Sequence, residues 1–198
     1  LRELTTHLAA CADEGQPIRI SVRDYGDVPP DLEWPRYFET VEKRAADVLN
    51  HPLALFLGGD HSVTIPLMQA FDQRVDGPFG MLYFDAHPDL FDVYHGHRWS
   101  HACTARRALE LEGLDEERLV FVGLRSIAVE EWDFLHANPA MPYLTARQCY
   151  LRGIEAIAEE VMERLQGAGA VYVSIDIDGL DPAYAPGTGY TEGGGPST

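Results

Sequence analysis

Residues 80–89, GMLYFDAHPD, join an apolar run directly to a cluster of acidic and histidine side chains. The run at 80–84 is apolar throughout and does not alternate with polar residues, as is typical of a strand buried on both faces of a parallel sheet. Two other apolar runs end in the same way: residues 53–57 lead into GGDHS at 58–62, and residues 171–175 lead into DIDGLDP at 176–182.

Further strand candidates lie at residues 18–22, 119–123 and 142–144. Helical patterns separate the strands, and the clearest one places six apolar residues on one helical face: Ile154, Ile157, Ala158, Val161, Met162 and Leu165. This alternation predicts a single wound α/β domain over residues 1–198. In such sheets ligands bind at the carboxyl ends of the strands, which is where the acidic and histidine clusters fall.

The chain of 198 residues carries 32 acidic and 15 basic side chains, a formal charge of −17. Such a surface repels nucleic acid and anionic membranes and tolerates cationic ligands. No apolar run is long enough to cross a bilayer, and the three widely spaced cysteines form no CxxC pair. We therefore expect a cytoplasmic protein with no disulfide framework and with no nucleic-acid or membrane partner.

Six side chains at the strand ends could form one site: His61, Asp85, His87, Asp89, Asp176 and Asp178. Asp85, His87 and Asp89 alternate by two, and on an extended segment that spacing directs all three to one side. Carboxylates brought together repel one another unless cations neutralise them. Each cluster alone also fits a polar turn or a helix cap, but three clusters at three strand ends favour metal binding.

Oxygen ligands with some imidazole and no thiolate suit manganese, and less exclusively iron, cobalt or zinc. Two such ions can hold a bridging hydroxide, because metal binding lowers the pKa of water. The constellation therefore predicts a hydrolytic site with two divalent ions per subunit.

At four segments the sequence resembles the ureohydrolase family of arginases, agmatinases and formimidoylglutamases: GGDHSVT (58–64), FDAHPDL (84–90), SHAC (100–103) and SIDIDGLDPAYAPGTG (174–189). The resemblance implies a three-layer αβα fold with a mainly parallel sheet, incomplete at both ends in this chain. It also implies a hydrolase that releases urea from a guanidino group and that assembles as a homo-oligomer, a trimer or hexamer.

By that resemblance, His61, Asp85, Asp89 and Asp176 hold one manganese ion, and Asp85, His87, Asp176 and Asp178 hold the other. His101 corresponds to the histidine that the family uses near the substrate as a proton shuttle. An imidazole suits that role because the leaving amine must be protonated. Asp60 and Asp181 are expected to fix loops and not to bind metal.

Phe91 bears on the substrate, because arginases carry at this position an Asn that helps to bind the α-carboxylate of arginine. The loop that follows, residues 92–101, is more similar to the corresponding loop of agmatinases. We therefore expect a small cationic guanidino substrate, with agmatine hydrolysed to putrescine and urea in polyamine biosynthesis. Guanidinobutyrase, arginase and formimidoylglutamase activities are the alternatives.

Members of the family are longer at both ends, so the resemblance implies a truncated chain. The Glu that pairs with the guanidinium is expected beyond Thr198, and Glu192 stands too early in the alignment for that role. We expect the truncated chain to bind metal poorly and the full-length protein to be active. Two other readings stay open: a zinc-dependent deacetylase of the same fold superfamily, and a non-catalytic family member.

Overall fold

The computed structural model describes Gly15 and residues 22–197. Within that part of the chain, four strands form one sheet in the order β3-β2-β1-β4, and every neighbouring pair is parallel. The strands are β1 (Phe79–Phe84), β2 (Leu114–Leu124), β3 (Tyr143–Thr145) and β4 (Val171–Ile175). The α-helices are α1 (Trp34–Val48), α2 (Thr64–Asp72), α3 (Thr104–Ala108), α4 (Val129–Ala137), α5 (Ala146–Arg152) and α6 (Ile154–Arg164).

Helices cover both faces of this sheet. On one face, Tyr83 of β1 belongs to a core that includes Met68 of α2 and Leu135 of α4. On the other face, Val122 of β2 belongs to a core that includes Val161 of α6. Parallel strands buried between two helical layers read as continuous apolar runs. The predicted α/β class with a parallel sheet between helices is therefore confirmed.

Four strand predictions fall on observed strands, with shifts at their ends. The largest shift is in β2, which begins at Leu114 and not at residue 119, because residues 115–117 are exposed and charged and so resemble a loop. Of the predicted strand at 18–22, residues 18–21 lie outside the described residues, and Val22 is not in a strand.

The strand predicted at residues 53–57 is wrong. These residues form no ladder with the sheet, and Leu53, Leu55 and Leu57 are 87%, 79% and 70% exposed. A cavity of about 740 Å³, lined by residues from both segments, separates them from β4. An apolar extended segment needs a neighbouring strand to satisfy its backbone groups, and this segment pairs with none of the described strands.

The helical pattern predicted from residue 154 to 165 is confirmed as α6. Its buried stripe is narrower than the sequence pattern, since Ile157, Val161 and Leu165 are buried while Ile154 and Met162 are exposed. No helix in the described part of the chain combines the length and the apolar character that crossing a bilayer requires.

Candidate metal centre

The site lies at the carboxyl ends of β1 and β4. Phe84 and Ile175 are paired in register, so Asp85 and Asp176 leave neighbouring strands at the same edge of the sheet. His61 reaches this edge from a 3-10 turn, His61–Val63, that leads directly into α2. The parallel pairing of β1 and β4 therefore brings two of the predicted clusters together, and the turn before α2 adds the third.

The carboxylates are aimed by tight turns and not by an extended backbone, which corrects the expectation from the alternating spacing. Oδ1 of Asp85 accepts the backbone N–H of His87 at 2.7 Å, and Oδ1 of Asp176 accepts that of Asp178 at 2.9 Å. Asp89 has a positive φ of 50°, so the chain has already turned there. An Asp in such a turn uses one oxygen locally and leaves its Oδ2 free to face a partner.

His61 is the centre of the first group of ligand atoms. Its Nδ1 lies 3.1 Å from Oδ2 of each of Asp85, Asp89 and Asp176. Its Nε2 shares a 2.9 Å hydrogen bond with Oγ of Ser174, which fixes the plane of the ring. Convergence of three carboxylate oxygens on one imidazole nitrogen is the arrangement that a divalent cation can bind.

Asp85 connects this group to a second one around His87. Nδ1 of His87 lies 3.5 Å from Oδ1 of Asp85 and 3.3 Å from Oδ2 of Asp178. The two oxygens of Asp85 thus face two different imidazoles, and its side chain is only 1% exposed. Oδ2 of Asp85 is also buried without a hydrogen-bond partner. Because such an atom is costly to bury unsatisfied, and its neighbours are oxygen and imidazole donors, these residues fit a pair of divalent cations.

The pKa values reflect this crowding of charge. Burial opposes protonation of His87, but the hydrogen bonds that its ring donates to Asp178 and Asp85 outweigh burial and raise its pKa to about 11. Burial likewise opposes protonation of His61, and its ion pairs with Asp176, Asp85 and Asp89 raise its pKa well above the ordinary value. Burial raises the pKa of Asp89 to about 7. Without cations, protonated imidazoles therefore serve as the counter-ions of the carboxylates.

Gly123 permits the close approach of β2 to this site. Its φ is +100°, and a Cβ there would lie 3.2 Å from the backbone oxygen of Asp85. Only glycine adopts this conformation without strain. The position therefore keeps the loop that carries Asp85 against the end of β2.

Two further groups at the site were not singled out from the sequence. Tyr83, fully buried on β1, donates its hydroxyl to Oδ2 of Asp89 at 2.7 Å and stacks on the His61 ring. The hydroxyl of Ser174 shares a hydrogen bond with Nε2 of the same His61 ring. Each precedes an Asp of the site by two residues, so the period of a strand could have indicated them.

His101 lies at the rim, half-buried, and begins the 3-10 turn His101–Cys103. Its Nδ1 is 3.6 Å from a carboxylate oxygen of Asp60, and the rings of Tyr94 and Tyr190 lie 5.7 Å and 5.6 Å away. Tyr190 also lies 6.1 Å from the ring of His87. Tyr190 therefore stands beside both the predicted proton shuttle and a predicted ligand.

Asp60 and Asp181 fix loops in this structure. Asp60 accepts the backbone N–H of Ser62 at 2.9 Å, and Asp181 accepts those of Ala183 and Gly194 at 2.9 Å and 2.8 Å. Glu192 is not expected to bind the guanidinium of the substrate, because it stands too early in the sequence. One of its carboxylate oxygens lies 3.6 Å from Nε2 of His87.

Fold and site together define a parallel α/β protein with a histidine–carboxylate centre at the carboxyl edge of its sheet. The family model of the Arginase family matches residues 1–198, and the chain belongs to that family. A guanidinobutyrase of Pseudomonas aeruginosa is 39% identical over 90% of this chain and 56% of its own length. A mitochondrial agmatinase of Gallus gallus is 36% identical over 86% of this chain and 51% of its own length.

The solved structures agree with this assignment. The agmatine ureohydrolase of Thermoplasma volcanium superposes with a TM-score of 0.78 and 30% sequence identity, over 98% of this chain and 64% of that one. The chain thus spans about half the length of the curated relatives named above.

Proposed function

We propose that the protein containing this chain hydrolyses a guanidino compound to urea and an amine. The observation that carries the proposal is Asp85, a buried carboxylate whose two oxygens face the two imidazoles of His61 and His87. His61, Asp85, Asp89 and Asp176 would hold one cation, and Asp85, His87, Asp176 and Asp178 the other. Manganese suits these oxygen and nitrogen donors.

Two cations bound there would supply a water-derived nucleophile near neutral pH and neutralise the four carboxylates. The carbon of the guanidino group gains a C–O bond from water and loses its C–N bond to the amine. The leaving nitrogen needs a proton for that step. His101, at the rim and beside Tyr190, is the residue to which we assign that proton transfer.

A substrate with a cationic tail fits the surroundings of the site better than one with a carboxylate. Three arginines already have partners: Arg98 pairs with Glu110 at 2.7 Å, Nη2 of Arg107 in α3 with Asp92 at 2.6 Å, and Arg125 with backbone carbonyls. Phe91 and Tyr94 lie side by side, with ring centroids 5.3 Å apart, and offer an aromatic surface in place of a carboxylate receptor. Agmatine is therefore our first candidate.

The second candidate is 4-guanidinobutyrate, because the guanidinobutyrase of Pseudomonas aeruginosa shares 39% identity with this chain. This substrate ends in a carboxylate, whereas agmatine ends in an amine. Its recognition would need a cation from outside the described residues or from a rearranged arginine.

The test is urea release by the full-length, manganese-loaded protein from agmatine, 4-guanidinobutyrate and arginine in parallel. Urea from agmatine, lost in Asp85→Asn, supports the proposal in full. Urea from 4-guanidinobutyrate alone keeps the reaction and replaces the substrate. Absence of urea from all three, with two ions bound, refutes the proposed reaction on these substrates.

A further inference from the structure

The glycine-rich tail of the chain is tied to the loop that carries Asp178. The guanidinium of Arg125 donates to the backbone oxygens of Asp178 at 2.7 Å, Gly179 at 3.0 Å and Leu180 at 3.1 Å. The same guanidinium donates to the backbone oxygen of Glu192 at 2.7 Å. The half-buried Arg125 therefore sets the position of the tail relative to a predicted metal ligand.

Asp181 provides a second attachment for the tail. Its carboxylate accepts the N–H of Gly194 at 2.8 Å, and its own N–H donates to the oxygen of Pro196 at 3.0 Å. A Cβ at Gly195 would lie 2.6 Å from Nη2 of Arg125 and 2.7 Å from the nitrogen of Asp181. The glycine is therefore required by close packing, and the tail is docked at several points.

These contacts of the tail place the Glu192 carboxylate beside His87. Its Oε1 accepts the hydroxyl of Ser126 at 3.1 Å and lies 3.6 Å from Nε2 of His87. Nδ1 of the same imidazole faces Asp85 and Asp178. Nδ1 of His87 thus faces the predicted metal ligands Asp85 and Asp178, and Nε2 faces the carboxylate of Glu192. Ser126 contacts that carboxylate, and Arg125 holds the backbone of Glu192.

We propose that Glu192 is a positioning residue for His87: its carboxylate lies 3.6 Å from Nε2, and when a cation holds Nδ1 it would accept the Nε2 proton and keep the ring oriented. This inference rests on the proposed two-cation centre. A ligating histidine commonly donates its other ring N–H to a carboxylate, and loss of that partner lowers metal affinity about 10- to 100-fold. Glu192 would then act through His87 and would not pair with the guanidinium of the substrate.

The experiment is a titration of the metal-free, full-length protein with Mn²⁺. The electron paramagnetic resonance signal of free Mn²⁺ measures how much of the ion stays unbound at each step. Glu192→Ala removes the acceptor, whereas Glu192→Gln keeps an uncharged acceptor of the same size. Thr191→Ala is the matched control, because Thr191 is an exposed neighbour in the same tail. KM and kcat for the best substrate are measured on the same samples.

For Glu192→Ala we expect one of the two ions to bind about 10- to 100-fold more weakly while the other is unchanged. Glu192→Gln should lose less, and Thr191→Ala should match the wild type. Unchanged affinity for both ions in Glu192→Ala overturns the inference and leaves the two-cation centre intact. So does a rise in KM with metal affinity unchanged, which would place Glu192 on the substrate. A wild-type protein that binds no Mn²⁺ overturns the proposed centre and this inference together.

Discussion

The hydroxyl of Tyr83 lies 2.7 Å from Oδ2 of Asp89 and 3.2 Å from Nδ1 of His61, inside a fully buried pocket of the sheet. The phenol is therefore a neutral donor placed among carboxylates that repel one another. Burial, together with the charges of Asp89 and Asp85, raises the pKa of Tyr83 well above its ordinary value, so the hydroxyl keeps its proton. Its contact with Asp89 helps to set the geometry of the first group of ligand atoms.

Tyr83→Phe removes this hydroxyl, and with it the contacts to Asp89 and His61, but keeps the ring. A hydrogen bond to a charged group contributes about 1.5–3 kcal/mol, so the free energy of unfolding of the metal-free protein should fall by about that amount. Asp89 would also be less well oriented, and Mn²⁺ should bind more weakly. Urea denaturation and a metal titration measure the two effects. If the unfolding free energy and the Mn²⁺ affinity both match the wild type, the 2.7 Å contact contributes to neither stability nor metal binding.

Asp85→Asn should affect both ligand groups, since each oxygen of Asp85 faces a different imidazole. Asp178→Asn is the comparison, because Asp178 contacts His87 and not His61 among these ion pairs. We expect the first variant to retain no tightly bound Mn²⁺ and the second to retain one ion. Metal content after dialysis distinguishes them, and equal losses in the two variants would contradict a bridging role for Asp85.

Binding of cations should release protons. His87 has a pKa of about 11 in the metal-free protein, so its imidazole is protonated at pH 8, and contacts with Asp176, Asp85 and Asp89 raise the pKa of His61 as well. A cation needs the lone pair, so affinity should rise with pH and at least the proton of His87 should leave as the ions bind. Calorimetric titrations in two buffers with different heats of ionisation count these protons. Identical heats in both buffers would contradict the raised pKa values.

The stability of the metal-free protein should fall as pH rises, whereas its affinity for cations should increase. The pKa of His87 rises from 6.5 to about 11 on folding, so its stabilising contribution is complete below pH 6.5 and is lost as pH rises towards 11. Chemical denaturation between pH 6 and pH 10 should show the free energy of unfolding falling. His87→Asn should flatten this fall, and an unchanged slope in that variant would exclude His87 as its source.

Glu131 fixes the loop that follows Asp89, and this too can be tested. Its buried carboxylate accepts the N–H of Leu90 at 2.9 Å and the N–H of Ala128 at 3.0 Å, at the start of α4. Glu131→Gln would set an amide donor against one of these donors and should cost about 1–3 kcal/mol of unfolding free energy. The exposed neighbour Glu130→Gln is the control, and equal stability of the two variants would refute the role.

The strands beside the site were predictable from sequence because their amino-acid composition is mainly apolar. Residues 80–84 form a continuous apolar run and residues 171–175 a mainly apolar one, as is typical of strands in a parallel sheet. Residues 53–57 have the same composition but form no strand, because pairing depends on a neighbour and not on the segment itself. Apolar side chains of β4, such as Val173, are exposed for a related reason: α6 packs over β1 and β2.

The sequence by itself determined which residue types end each strand, and hence that carboxylates and imidazoles gather at one edge of a parallel sheet. Only the tertiary structure decided how they are aimed. Asx turns direct the Oδ2 atoms of Asp85 and Asp176, and contacts between distant segments place Tyr83, Ser174 and Glu192. Local chemistry follows from neighbouring residues, whereas Arg125 meets Glu192 across 67 positions of the chain. Contacts of that kind depend on the packing of the whole chain, which no short stretch of sequence specifies.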